Sequence, residues 1–62
     1  FLGSHRLKGT TLRDGEAWAI INDRIVRVGE HIDGFELQRV ERYRAFLAKD
    51  DLSVVLSLPL PY

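Results

Sequence analysis

Residues 17–47 change hydrophobic phase or meet a turn signal every few positions, so no part of this stretch has room for a long helix. Apolar and polar residues alternate over short runs, the period of a strand with one face buried. The interruptions are residue types that favour tight turns or positive φ. They are Arg13-Asp14-Gly15 and Asn22-Asp23, then Glu30-His31-Ile32-Asp33-Gly34, then Arg42-Tyr43 and Lys49-Asp50-Asp51. A chain punctuated in this way is expected to be all-β.

The alternation predicts about six short strands, over residues 5–12, 16–21, 24–28, 35–41, 44–48 and 52–58. In the first, Leu7, Gly9 and Thr11 share one face, and Arg6, Lys8 and Thr10 the other. Gly9 in mid-strand points to a bulge or to a close approach of backbone. In the second, Ala17, Ala19 and Ile21 oppose Trp18 and Ile20, so both faces are apolar and the strand is expected to be central. In the third, Val26 and Val28 point inward, and Ile25 and Arg27 outward. Gly29 ends it, and residues 30–34 form a corner with Ile32 as its apolar plug. In the fourth, Phe35 and Leu37 are in phase while Val40 is not, the mark of a bulge or of a strand passing between sheets. Ala45 and Leu47 face inward in the fifth. Leu52, Val54, Leu56 and Leu58 alternate with Ser53, Val55 and Ser57 in the sixth. The rival for residues 36–51 is a helix, because Leu37, Val40, Tyr43 or Arg44, and Leu47 also recur at helical spacing. The strand spacing of the neighbouring segments favours β.

Sixty-two residues make one domain at most. A chain of this size buries only about 60% of its unfolded surface. No Cys is present, so no disulfide reinforces the core. The nine Lys and Arg balance the nine Asp and Glu, which argues against a general electrostatic grip on nucleic acid or anionic lipid. The chain begins with Phe and contains no Met, and is expected to be an excised domain or processed fragment. Gly3-Ser4-His5 reads as an expression scar or as native loop. No apolar run approaches the roughly twenty residues of a membrane-spanning helix. Residues 1–58 read as a single small β domain and residues 59–62 as a proline-containing tail or the start of a linker.

Reactive chemistry finds little to work with. A hydrolase needs a nucleophile, a base and a group that orients the base. The bases are His5 and His31 alone, Ser4 adjoins His5 near the terminus, and Ser53 and Ser57 read as the solvent face of a strand. Glu30, His31 and Asp33 crowd one corner, but neighbours in an extended chain point apart, and a metal needs three or four convergent ligands. Gly29 and Gly34 lack the spacing of a dinucleotide-binding loop. Arg39, Arg42 and Arg44 beside Tyr43 and Phe46 define the alternative function, a small barrel that binds single-stranded nucleic acid. Glu36, Glu41, Asp50 and Asp51 dilute that positive field. No catalysis, cofactor, metal or small-molecule substrate is expected.

Apolar residues on faces that should be wet are the unusual feature. Trp18, Ile20, Ile25, Phe46 and Val55 cannot all join a core that already holds Val26, Val28, Leu37, Leu47, Val54 and Leu56. Either two sheets share a core and use both strand faces in part, or some of these residues form a docking surface. An open sheet edge would also accept a partner strand. The first strand is the natural edge, because Arg6, Lys8 and Thr10 are the residue types that guard one.

Several segments together carry a resemblance. They are Leu7-x-Gly9, Ala19-Ile20-Ile21-Asn22, Val26-x-Val28-Gly29-Glu30-x-Ile32-x-Gly34, Val40, Arg44-x-x-Leu47 and Leu56-Ser57-Leu58. Over residues 7–58 the chain resembles the periplasmic homology region of the inner-membrane protein C of type II secretion systems. It is similar too to the small domains of type IV and mannose-sensitive pilus assembly proteins and to the secretion protein B group. Tyr43 stands where the family turn often has an acidic residue, and Ala45 where a larger aliphatic is common. The resemblance implies a half-open barrel of two three-stranded antiparallel sheets in the periplasm, tethered to the inner membrane by an anchor outside these residues. It implies no catalysis. The implied partner is a protein, the N-terminal periplasmic domain of an outer-membrane secretin. Edge logic then selects Arg6, Lys8 and Thr10 as partner-binding residues, with Ile25 and Arg27 on the neighbouring strand.

Overall fold

A computed structural model describes residues 3–59. The part of the expected tail beyond Pro59 lies outside the described residues. The chain is all-β, with two antiparallel sheets that are not closed into a barrel. The first sheet holds β1 (Leu7–Arg13), β2 (Glu16–Ile21) and β3 (Arg24–Arg27), in that order. The second holds β4 (His31–Ile32), β5 (Phe35–Glu41), β6 (Arg44–Lys49) and β7 (Leu52–Ser57), also in sequence order. Residues 36–51 form the β5–β6 hairpin, not a helix.

Two-residue turns set the register. The pairs Arg13↔Glu16, Ile21↔Arg24, Ile32↔Phe35, Glu41↔Arg44 and Lys49↔Leu52 close the five hairpins. Asp33 and Gly34 both have positive φ, at 48° and 86°, as a type I′ turn requires. This Asp-Gly turn creates β4, which the sequence reading took for part of a corner. The second sheet therefore has four strands and the fold seven, where two sheets of three were expected. The corner itself is narrower, at Val28-Gly29-Glu30. Gly29 sits at φ 96°. Its N–H donates to the Leu37 carbonyl at 2.8 Å, and the Glu30 N–H to the Arg27 carbonyl at 2.9 Å. The Glu30 carboxylate accepts the Arg27 N–H at 2.8 Å, which fixes the chain as it leaves the first sheet.

Two bulges decide which side chains reach the core. The register slips once between Leu37 and Arg39, leaving Gln38 unopposed. Leu37 and Val40 are therefore both buried, although an ideal strand would put them on opposite faces. The register slips again between Leu7 and Gly9, at Lys8. Beyond this bulge Thr10 pairs with fully buried Ala19, so it shares the inner face with Leu7, while Gly9 and Thr11 pair with Ile20 and Trp18 on the outer face. That corrects the grouping of Thr10 with Arg6 and Lys8.

The core comprises Leu7, Ala19, Ile21, Val26, Ile32, Phe35, Leu37, Val40, Ala45, Leu47 and Leu56. It lies between the sheets, where β1 and β2 cross β5 and β6. Val28 was expected inside and is 46% exposed, since it lies beyond the last β2–β3 pair, Trp18↔Arg27.

Candidate functional site: the groove between the outer strands

Each sheet has two edges, and one pair is handled by the chain itself: β3 leads through the Gly29 corner directly into β4. The other pair is β1 and β7; among the described residues these pair only with β2 and β6 respectively. Between them runs a groove of about 730 Å³, lined by residues 5–8 on one side and 55–59 on the other. Leu7 and Leu56 are both buried and give it an apolar floor.

Main-chain hydrogen-bonding groups line both walls. In an antiparallel pair, successive residues turn their N–H and C=O alternately toward and away from the partner strand. The Leu58 N–H donates to the Tyr43 carbonyl at 2.8 Å, which fixes this phase for β7. Leu56 and Leu58 bond to β6, and Val55 and Ser57 direct their main-chain groups into the groove. On β1 the Asn22 N–H donates to the Arg6 carbonyl at 2.9 Å, so Arg6 faces β2 and Leu7 faces the groove. Pro59 has no N–H and ends the row on β7.

Two anchors hold the start of β1 in place. Asn22 adopts φ 55° in the β2–β3 turn, where Asn is among the few residues at ease. Its side chain accepts the Arg6 N–H at 3.0 Å and donates to the Ser4 carbonyl at 3.2 Å. The second anchor is His5, a buried polar side chain. Its Nε2 lies 2.6 Å from Asp33 Oδ2, and its Nδ1 lies 2.9 Å from Ser4 Oγ. An ionised carboxylate only accepts, so Nε2–H is the donor there. The contact spans 28 positions and ties the groove's end to the β4–β5 turn. Ser4, His5 and Asp33 thus stand in the order hydroxyl, imidazole, carboxylate. Acyl-transfer chemistry needs donors aimed at the developing oxyanion as well. The hydroxyl comes from the residue next to the imidazole, a contact that local geometry alone provides.

Among the described residues that line the groove, Arg6 and Lys8 are the formally charged ones, both cationic. The Lys8 ammonium stands 3.5 Å from the Asp23 carboxylate, with both side chains largely exposed. Such a pair is weak, and leaves Lys8 available to another anion.

The five residues chosen from the sequence therefore separate. Arg6 and Lys8 line the groove. Thr10 faces inward and donates its hydroxyl to the Arg42 carbonyl, linking β1 to the β5–β6 turn. Ile25 and Arg27 lie on the outer face of β3, remote from the groove lining. Ile25 pairs with Ile20, and the Arg27 guanidinium sits 5.4 Å above the Trp18 ring. The sequence reading missed the β7 wall, although the alternation through Val55 and Ser57 followed by Pro59 was the available signal. It also missed the His5–Asp33 contact, which only the fold creates.

Of the arginines behind the nucleic-acid alternative, Arg39 lies 2.7 Å from Glu41 and 5.7 Å above the Phe46 ring, in a largely exposed pair as weak as that of Lys8. The crowded corner disperses, since Glu30 caps Arg27 and Asp33 turns to His5. Among the described residues no helix is long and apolar enough to cross a membrane. No protein family, curated protein or solved structure matches the chain.

Proposed function

We propose that this chain is a non-catalytic protein-docking module of a bacterial secretion or pilus assembly system. It acts in the periplasm, tethered to the inner membrane in the full-length protein, and its partner is the N-terminal periplasmic domain of an outer-membrane secretin. The two sheets act as a half-open barrel joined at the Gly29 corner, and the open side is where the partner docks. One observation carries the reading: among the described residues, β1 and β7 have no partner strand on the sides that wall one groove. Strand edges of this kind bind proteins by β-augmentation, in which main-chain bonds supply affinity and side-chain pockets supply selectivity. The sequence resemblance supplies the cellular setting. A docking surface on so small a domain belongs with transient complexes, so the expected affinity is modest.

The test is a titration of the isotope-labelled chain with the purified secretin domain, followed through amide resonances. The reading predicts the largest shifts at residues 6–8 and 55–57. Shifts confined to the outer face around Trp18, Ile20 and Ile25, or none at all, would refute it.

A further inference from the structure

Resting on this docking reading, we infer that the groove takes an extended acidic segment, with aspartate or glutamate alternating with aliphatic residues, laid between β1 and β7 so that it bonds to both. Three features of the groove specify this occupant. Its walls are strand edges, to which an added strand bonds and a helix does not. Its floor is Leu7 and Leu56, with half-buried Leu58 beside them, so one face of the occupant is aliphatic. Its charged side chains are Arg6 and Lys8, so the other face is acidic.

The walls set the length. Residues 5–8 line one side and residues 55–59 the other, so an extended segment of about four to five residues spans the groove. With period-two alternation this allows two or three aliphatic side chains on the floor and two carboxylates toward Arg6 and Lys8. The chain as a whole carries no net charge, so selectivity for acidic segments is a property of this groove and not of the molecule.

The experiment uses the labelled chain and three synthetic eight-residue peptides. The first alternates glutamate with valine, the second replaces every glutamate by lysine, and the third is the first with alternate backbone nitrogens methylated. At low salt the glutamate peptide is expected to bind about tenfold more tightly than the lysine peptide, as two solvent-exposed ion pairs would provide. Its shifts centre on Leu7, Lys8, Val55 and Ser57. Methylation should weaken it by a similar factor, because the main-chain bonds are lost. In the double variant Arg6→Glu/Lys8→Glu the preference should reverse, and the lysine peptide should bind better. Equal affinity for both signs of charge, failure of both peptides to bind, or shifts on the outer face would overturn the inference. So would concentration-dependent shifts of the groove amides in the chain alone, which would make a second copy the occupant. The two proposals fail separately. A secretin domain that perturbs the groove while the peptides show no charge preference refutes the acidic occupant and leaves the docking reading standing.

Discussion

His5 is the residue on which the position of the groove most depends. Its imidazole is buried and bonded to a carboxylate on the far sheet, whereas Asp33 is itself largely exposed. Removing the acceptor leaves the buried imidazole N–H unsatisfied, whereas water takes the place of the imidazole at exposed Asp33. Asp33→Gly is therefore expected to cost roughly 1–3 kcal/mol, and Asp33→Asn clearly less, since Asn retains an acceptor oxygen; both tolerate the positive φ of that turn. Urea midpoints of the two variants decide this, and equal losses would contradict the anchoring role. At this scale the turn residues were readable: Gly15, Asn22, Gly29, Gly34 and Asp50 all adopt positive φ, and each stood in the sequence where alternation broke. Gly9 was readable too. A Cβ there would lie 3.3 Å from Ile20 Cδ1, the close approach that a glycine in mid-strand signals. The His5 contact was not readable, because its partner is brought near only once both sheets have formed.

Among the elements, β5 depends on its bulge. Gln38 is the unopposed residue that allows Leu37 and Val40 to share the core. Deleting Gln38 restores strict alternation and forces one of them to the surface. Exposing such a side chain costs about 1.5–3 kcal/mol, a large part of the stability of any small domain. Gln38→Ala keeps the residue count and is expected to be nearly neutral, since its side chain is exposed. Thermal melts of the two variants compare them directly, and a deletion as mild as the substitution would refute the register argument. The phase switch between Leu37 and Val40 exposed this bulge in advance. The same logic applied to Lys8 and Gly9 found a bulge but not its consequence, because only the register against β2 shows that Thr10 turns inward. The helical spacing in residues 36–51 was a local coincidence. Packing of Phe35, Leu37, Val40, Ala45 and Leu47 in one core outweighed the helix propensity of that segment. Two-residue β4 was too short to give a period, although the Asp-Gly pair that makes its hairpin was in plain view.

For the whole molecule, the central feature is an opening. The chain crosses from one sheet to the other at the Gly29 corner and, among the described residues, leaves β1 and β7 unjoined on the other side. Nothing within a single strand announces this, since which edges meet depends on how two sheets stack. The sequence marked β1 as an edge through Arg6 and Lys8 but held no comparable sign for β7, whose serines and Val55 read as an ordinary wet face. The most direct test is amide hydrogen exchange of the free chain. The open groove predicts that the amides of Leu7, Val55 and Ser57 exchange rapidly, while those of Leu56 and Leu58, bonded to β6, are protected. Equal protection along 55–58 would mean that β1 and β7 are paired and that no docking edge exists.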